Sequence, residues 1–215
     1  MLEIWGRRNS LNVQKVMWLT GELGLEHRHV PAGGDFGGLD APAFLAMNPH
    51  GLVPVIRDDG VVVWESHAIL RFLAARHGHA MVWPADAAER SMADRWMDWA
   101  QTTLQPDVLN GVFWGYYRTP ELQRDMTAVK ASISRCAAHF RLLDRVLAAQ
   151  PYLAGEHFTL ADIPAGALLY RYFGMDIERP DVPNVQAWRR RLEDRPAYRE
   201  HVMIPFDDLK GRLAF

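Results

Sequence analysis

The chain of 215 residues contains a single cysteine, Cys136. One cysteine excludes an internal disulfide, a Cys-x-x-Cys redox motif and a cysteine-rich zinc site. The sequence also lacks an apolar run long enough to span a membrane, and its first residues lack the basic and apolar regions of a signal peptide. These absences predict a soluble, cytoplasmic protein that does not enter a membrane.

Basic and acidic residues are nearly equal in number. The 24 basic and 26 acidic residues give a net charge of −2, which favours neither nucleic acid nor an anionic membrane as a partner. Histidines and carboxylates are scattered without a metal-ligand spacing such as His-Glu-x-x-His, so no metal site is predicted. The short basic run at 189–191 lies beside Glu193 and Asp194 and is typical of a solvated helix face.

The first third of the chain alternates between strand and helix patterns. Val13 and Val16 belong to an apolar stripe at helical spacing, and Asp59-Gly60 between two apolar runs predicts a hairpin turn. The predicted order is a strand at 2–5, a helix at 12–23, a strand at 27–30, a short helix at 43–47, a hairpin at 53–64 and a helix at 66–76. These elements predict an α/β domain over residues 1–77.

Strand patterns disappear beyond residue 87. The predicted linker at 78–86 carries Gly78 and Pro84 and few strong helix formers. Apolar residues at helical spacing then predict four helices, at 87–109, 121–149, 160–172 and 185–192. The sequence therefore predicts a small α/β domain followed by an all-helical domain over residues 87–215.

A capping signal marks the start of the third of these helices. Thr159 and Asp162 have the spacing of a capping box, in which the threonine hydroxyl accepts from the Asp162 amide and the Asp162 carboxylate accepts from the Thr159 amide. Phe158 and Ile163 occupy the two positions of a hydrophobic staple. This motif is explained by structure alone and requires no ligand.

Four segments, taken together, resemble cytosolic glutathione transferases along essentially the whole chain. They are the strand-turn-helix Ile4-Trp-Gly-Arg-Arg-Asn-Ser-Leu-Asn-Val, the loop Asn48-Pro-His-Gly-Leu-Val-Pro-Val, the strand-to-helix segment Trp64-Glu-Ser-His-Ala-Ile-Leu-Arg-Phe-Leu and the capped start Thr159-Leu-Ala-Asp. Each is weak by itself, but their order and spacing on a chain of this length are specific. The resemblance implies a thioredoxin-like N-terminal domain, glutathione as co-substrate without a metal, and a homodimer with a role in detoxification.

Two of these segments are candidates for holding glutathione. On the residues alone, Val53-Pro54 is a strand start after a turn, and Ser66 is the N-cap of a helix. A cis bond before Pro54 would present the Val53 amide and carbonyl to solvent. The resemblance implies that this edge pairs with the cysteinyl part of glutathione as a short β-augmentation. It also implies that Glu65 and Ser66 hold the γ-glutamyl end, where a helix N-terminus favours a carboxylate.

Leu52 departs from the family pattern. Many members have a lysine or another polar residue just before the Val-Pro pair, where it helps to hold the glycine carboxylate of glutathione. A leucine side chain offers no such contact, so His50, Arg7 and Arg8 are the candidate replacements, and a surface position explains each arginine equally well. The glycine-rich loop at 33–38 either covers the glutathione tail or is an ordinary loop.

Ser10 and Asn12 begin the first helix, where either side chain would serve as a simple cap. The resemblance implies a further role, because the family places a thiol-activating Tyr, Ser or Cys in this turn, and here the turn contains Ser10 with Asn12 beside it. A hydroxyl, a side-chain amide and a helix N-terminus all favour a thiolate over a thiol. Lowering a thiol pKa by about two units takes about 2.7 kcal/mol and makes the thiolate the main form at neutral pH.

Aromatic residues along and just after the first long helix of the second domain are candidates for an electrophile pocket. The resemblance places that helix opposite the glutathione site, and an apolar pocket there suits a hydrophobic electrophile. Aromatic residues at helical spacing also fill cores, so the same residues have a structural explanation. The candidates are Trp96, Trp99, Phe113, Trp114 and Tyr117.

The resemblance implies an enzyme that uses the thiolate of bound glutathione to attack a hydrophobic electrophile. The Ser-x-Asn turn is also similar to bacterial members that reduce disulfides or peroxides with glutathione. Dehalogenation and isomerisation would use the same thiolate, although the isomerase branch typically carries a Ser-Ser-Cys turn that this sequence lacks. A non-catalytic binding protein on the same fold is the alternative from another class. The presence of Ser10, Val53-Pro54 and Glu65-Ser66 argues against it, because a purely structural descendant need not keep these residues.

Overall fold

The computed structural model of the chain describes residues 1–79 and 82–213. Residues 80–81 of the predicted linker and residues 214–215 of the predicted helical domain lie outside this part. No helix in the described part is long and apolar enough to cross a membrane.

Four short strands near the N-terminus form one mixed sheet. Strand β1 (Leu2–Trp5) pairs parallel with β2 (His27–Val30) and antiparallel with β3 (Val55–Asp58). Strand β4 (Val61–Trp64) pairs antiparallel with β3, so the strand order is β2-β1-β3-β4. The predicted hairpin between β3 and β4 is confirmed.

The hairpin turn follows from its two central residues. Asp59 and Gly60 both have positive φ angles, 47° and 87°, as a two-residue turn of type I′ requires. Asp and Gly tolerate this conformation better than most residues, and the turn matches the twist of the flanking strands. The Asp-Gly pair therefore fixes the hairpin locally, before any packing.

Three helices connect or follow the strands: α1 (Leu11–Glu22), α2 (Pro42–Leu45) and α3 (Ser66–His77). Helix α1 packs against α3 in its own domain and against two helices of the C-terminal half. Because it is covered on both sides, α1 is buried over most of its surface, including Lys15 and Trp18. The N-terminus of α1 consequently lies at the junction of the two halves.

The C-terminal half is helical, as predicted. Its described helices are α4 (Ala87–Trp99), α5 (Met126–Leu147), α6 (Asp162–Gly174), α7 (Pro183–Glu193) and α8 (Pro196–His201).

The helix predicted at 87–109 is longer than expected. Beyond α4 the chain stays helical to Arg118, through π-helical turns at Ala100–Leu104 and Pro106–Arg118, here called the extension of α4. Pro106 has no amide hydrogen and its ring crowds the carbonyl group one turn earlier. A wider helical turn accommodates such a residue without ending the helix.

One helix boundary and one whole helix also differ from the prediction. Helix α5 begins at Met126, not near residue 121, because the Asp125 side chain accepts from the Thr127 and Ala128 amides, each at 3.0 Å. The six-residue helix α8 was not predicted at all. It is too short to show a helical period in the sequence, and it is stabilised by packing on α1.

The capping box at α6 is confirmed in one of its two bonds. The Asp162 carboxylate accepts from the Thr159 amide at 3.0 Å, but the Thr159 hydroxyl accepts from the Ala161 amide at 3.2 Å, not from the Asp162 amide. Asp162 also accepts from the Leu153 amide and from Trp188 Nε1, each at 3.0 Å. This buried carboxylate therefore joins α6 to α7 and to the preceding loop.

Candidate active site

The turn after β1 brings Ser10 and Asn12 to the N-terminus of α1. Ser10 is the N-cap residue, with an extended backbone (φ −81°, ψ 123°), but its side chain makes no capping hydrogen bond. Its hydroxyl is therefore available to a ligand. The first turn of α1 contains no acidic residue, so the positive end of the helix dipole acts at the same place without compensation.

The loop before β3 is shaped by Asn48, which is buried. Its Nδ2 donates to the Leu52 carbonyl at 2.9 Å, and its Oδ1 accepts from the His50 amide at 3.1 Å. The Val53-Pro54 peptide bond that follows is cis. Within the described residues, neither the amide nor the carbonyl of Val53 has a backbone hydrogen bond, so Val53 offers one donor and one acceptor to an extended peptide.

Glu65 and Ser66 join β4 to α3. Glu65 is the N-cap residue and has a left-handed backbone (φ 69°), which residues other than glycine rarely adopt. The prediction that Ser66 caps the helix is wrong, because the chain turns one residue earlier and Ser66 is the first residue of α3. The first turn of α3 carries no acidic residue and no side-chain cap, so its amides suit a carboxylate.

Two adjoining cavities connect these three segments. The smaller cavity, about 60 Å³, is lined by Pro54, Glu65 and Ser66. The larger cavity, about 210 Å³, contains Ser10 in its wall. Three residues line both cavities, which are therefore adjacent: Asn12, Leu52 and Val53.

The aromatic candidates divide into two groups. Phe113 and Trp114, from the extension of α4, line the larger cavity. Trp96 and Trp99 instead pack edge to face on each other with ring centres 5.4 Å apart, and Tyr117 stacks on Phe113 at 5.5 Å. The structure therefore brings two of the five aromatic residues to the site, and the other three line neither cavity.

His50 also lines neither cavity. Its side chain is exposed and lies against the Trp64 ring, with ring centres 5.2 Å apart. A role for His50 in holding the glycine end of a ligand stays a prediction.

Lys15 is a site residue that the sequence did not single out. Its side chain is 0% exposed. Its Nζ donates to Asn12 Oδ1 at 3.0 Å and to Gln105 Oε1 at 2.5 Å, and lies 3.3 Å from His67 Nε2. Because Lys15 donates to the oxygen of the Asn12 amide, the NH₂ group of Asn12 is left to face a ligand.

Burial explains the protonation of this buried pair. It lowers the pKa of Lys15 to about 7, an effect that the charge of Glu65 partly opposes. It also lowers the pKa of His67 to about 2, with the nearby Lys15 and Arg71 charges acting in the same direction. His67 is therefore neutral at physiological pH and accepts a hydrogen bond from Lys15.

Three arginines border the larger cavity: Arg7, Arg118 and Arg171. Arg118 and Arg171 belong to the helical half and are 1% and 5% exposed. Burial, together with the charges of neighbouring arginines, lowers the pKa of Arg118 to about 10 and that of Arg171 to about 9. Both therefore remain positively charged at neutral pH, and no local pattern in the sequence marks either of them.

Two family models and several individual proteins match this chain. Residues 9–76 match the model of the glutathione S-transferase N-terminal domain, and residues 97–196 match that of the glutathione S-transferase C-terminal domain. Glutathione S-transferase GstB of Escherichia coli strain K12 is 42% identical over 207 residues, which cover 95% of this chain and 99% of that protein. Glutathione S-transferase 3 of Zea mays is 31% identical over 209 residues, covering 94% of this chain and 93% of that protein.

A solved structure shows the same likeness in three dimensions. The theta class glutathione S-transferase from the citrus canker pathogen Xanthomonas axonopodis pv. citri, with glutathione bound, superposes with a TM-score of 0.89 at 46% identity. The match covers 95% of this chain and 98% of that one. With its two domain models, these near full-length relatives and the two-part fold, the chain belongs to the glutathione S-transferase family.

Proposed function

We propose that this glutathione S-transferase binds glutathione across the two cavities and activates its thiol for attack on an electrophile. The γ-glutamyl end is held at Glu65 and Ser66, the cysteinyl part pairs with the Val53 backbone, and the sulfur lies beside Ser10. The adjacency of the two cavities, which share three lining residues, supports this placement. The related theta class enzyme was solved with glutathione bound.

The observation that carries the proposal is the uncapped hydroxyl of Ser10 at the N-terminus of α1. A thiol ordinarily has a pKa of about 8.5, so little of it is thiolate at neutral pH. The Ser10 hydroxyl and the Asn12 NH₂ group donate to the sulfur, and the helix dipole adds positive potential. All three favour the thiolate, which is the attacking species.

The attacking thiol is that of glutathione, because the protein supplies no accessible thiol of its own. Cys136 is the chain's single cysteine and lies fully buried in α5. Burial raises the pKa of Cys136 to about 12. A buried thiol with a raised pKa is unreactive.

The electrophile occupies the larger cavity, between Ser10 and the apolar side chains of Leu109, Phe113 and Trp114. Its reactive carbon meets the glutathione sulfur there, and the same thiolate would serve a disulfide or peroxide substrate. Turnover of a small mixed disulfide faster than of an alkyl or aryl halide would identify the reductase alternative. The reverse preference would identify the transferase.

The ultraviolet difference spectrum of the protein with glutathione, titrated over pH, tests the activation step. Wild type should show the thiolate band well below pH 8.5. Ser10→Ala should raise the titration midpoint by about one unit or more, because a hydrogen bond to a charged group is worth about 1.5–3 kcal/mol. Ser91→Ala is the matched control, since Ser91 is an exposed serine of α4 whose hydroxyl donates to the Ala88 carbonyl.

Three outcomes of this titration have different meanings. An upward shift in Ser10→Ala alone supports the assignment. An unchanged titration midpoint in Ser10→Ala would mean that Asn12 or the backbone, not Ser10, activates the thiol. The absence of a thiolate band at millimolar glutathione would favour the non-catalytic binding protein.

We also propose that the enzyme is a cytoplasmic homodimer. Val61 and Val62 on the edge strand β4 and Met92 on α4 are exposed apolar side chains of the two halves, and a partner surface would cover them. Light scattering on the full chain should give twice the monomer mass. A monomer at micromolar concentration would contradict this.

A further inference from the structure

Lys15 joins three parts of the site that the sequence separates widely. Its Nζ donates to Asn12 at the start of α1 and to Gln105, which lies between the two π-helical turns of the extension of α4. On the third side lies the ring of His67, the residue that follows Ser66 in α3. One buried amino group thus contacts the residue proposed to face the glutathione sulfur, the helix that borders the larger cavity and the helix proposed to hold the γ-glutamyl end.

Neutral groups surround Lys15. In the described part of the chain its hydrogen-bond partners are all uncharged, since the pKa of His67 lies far below neutral pH. At α3, Glu65 acts on Lys15 only through its charge, and Arg71 is paired with two carboxylates of α4. On α6, Arg171 is held by a backbone carbonyl and a glutamine side chain, and α8 packs at the other end of α1. A negative charge in close reach is therefore what the surroundings of Lys15 lack.

The contacts of Lys15 can be kept whether or not it carries the extra proton. An ammonium group donates three hydrogen bonds, to Asn12 Oδ1, to Gln105 Oε1 and to His67 Nε2. A neutral amine still donates the first two, and its lone pair accepts from His67 when the imidazole carries its hydrogen on Nε2. The other ring nitrogen, Nδ1, is buried without a hydrogen-bond partner among the described residues, so no partner at that atom selects one tautomer. The site is therefore able to hold this lysine in both charge states.

We propose that Lys15 takes up a proton when bound glutathione loses one, so that a thiolate and an ammonium group face each other across the Asn12 amide. The sulfur–hydrogen bond breaks with its electron pair left on sulfur, and an N–H bond forms at Lys15 Nζ. The number of protons in the complex is unchanged, and this equilibrium count does not depend on the path between the two atoms. Lys15 is thus a positioning residue that acts on the sulfur through Asn12, and the inference rests on the proposed function.

Opposite charges at this separation are strong enough to change both protonation states. Two hydrogen bonds and one amide group separate Nζ from the sulfur by roughly 7 Å, where a unit charge shifts a pKa inside a protein by about one unit or more. Burial holds the pKa of Lys15 at about 7 in the free protein, so its neutral form predominates there at pH 8. A thiolate beside Asn12 raises that pKa, and the ammonium group in turn lowers the pKa of the glutathione thiol.

Counting protons in the wild-type enzyme tests this exchange. Calorimetry of glutathione binding in two buffers of different ionisation enthalpy gives the protons released, and the ultraviolet thiolate band gives the thiolate formed. S-methylglutathione, which has no thiol, measures the protons released by the rest of the binding reaction, and that number is subtracted. At pH 6, where Lys15 is already protonated, about one proton should leave per thiolate formed. At pH 8 about half a proton or less should leave, because Lys15 retains the remainder.

Two substitutions separate the charge of Lys15 from its hydrogen bond to Asn12. Lys15→Met removes both and should raise the midpoint of the thiolate titration by about one unit or more. Lys15→Gln keeps an N–H donor near Asn12 without a titrating charge, so part of the rise should persist. Both variants should release about one proton per thiolate at pH 8 as well as at pH 6. Lys130→Met, at an exposed position of α5, is the control and should behave as wild type.

Three results would overturn the inference. About one proton per thiolate at both pH values in wild type would mean that Lys15 gains no proton, and this measurement requires no variant to fold. A wild-type midpoint in folded Lys15→Met would exclude any action of Lys15 on the thiol. A wild-type midpoint in Lys15→Gln would mean that Lys15 only orients Asn12 and that its charge has no part. Absence of a thiolate band in wild type would instead count against the proposed function itself.

Discussion

Replacing Lys15 by methionine should remove a pH dependence of stability that the wild-type protein has between pH 7 and pH 9. Lys15 is 0% exposed and bonds only neutral groups, the side chains of Asn12 and Gln105 and the ring of His67. Burial lowers its pKa from the ordinary 10.5 to about 7. In the unfolded chain the ammonium group is solvated and its pKa returns to the ordinary value.

The sign and size of the effect follow from proton binding. Between pH 7 and pH 9 the unfolded chain keeps the Lys15 proton and the folded protein has largely released it. The unfolded state therefore binds more protons, and the free energy of unfolding rises with pH, by up to about 1.36 kcal/mol per pH unit. Because the folded protein still holds about half a proton at pH 7, the total rise to pH 9 is about 2 kcal/mol.

Methionine fills a similar volume without a titrating group. Lys15→Met also removes the hydrogen bonds to Asn12 and Gln105, but that loss is the same at every pH in this range. The difference in unfolding free energy between wild type and Lys15→Met should therefore change by about 2 kcal/mol from pH 7 to pH 9, in favour of wild type.

Urea denaturation at pH 7, 8 and 9, at one protein concentration and without glutathione, measures this difference. Lys130→Met is the control, because Lys130 is exposed on α5 and should show no such change. Parallel stability curves for wild type and Lys15→Met would refute the argument, since Lys15 would then have the same pKa in the folded and unfolded states.

Two further predictions concern packing in the helical half. Asp162→Asn should lower the unfolding free energy by about 1–3 kcal/mol in urea denaturation, because the new NH₂ group then meets a buried N–H donor. The control is Asp181→Asn at an exposed position. Equal stability of the two variants would contradict the role of Asp162. Gly111→Ala should lower it by about 1–3 kcal/mol, because the added Cβ would stand 2.2 Å from Ser132 Oγ. Gly115→Ala is its control, with 3.4 Å to the nearest side-chain atom, and similar thermal midpoints for the two variants would exclude the steric argument.

Local interactions made much of the fold predictable. The α1 stripe and the Asp59-Gly60 turn are determined by residues within a few positions of one another. Two helix boundaries differ from the prediction. Helix α5 begins where Asp125 caps it, and the helix that follows α4 continues through Pro106. Tertiary packing, not sequence period, stabilises a six-residue helix such as α8.

The backbone-binding part of the site was also within reach of the sequence. Val53-Pro54, Glu65-Ser66 and Ser10 lie in short motifs whose resemblance to one family was specific when taken together. The sequence did not reveal the exact position of the α3 N-cap, because the left-handed backbone of Glu65 is an unusual conformation that local preference disfavours.

The sequence by itself thus determined the two-part fold and the three motifs along which glutathione is proposed to bind, because each depends on neighbours in the chain. Only the tertiary structure decided that the buried Lys15 donates a hydrogen bond to the Asn12 side chain. It also decided that Arg7, Arg118 and Arg171 line one cavity. In the sequence Lys15, Arg118 and Arg171 are basic residues on helices and Arg7 lies in a turn, and such residues normally face solvent. The burial of these charged side chains, and their positions around one cavity, arise only when elements far apart in the sequence pack together.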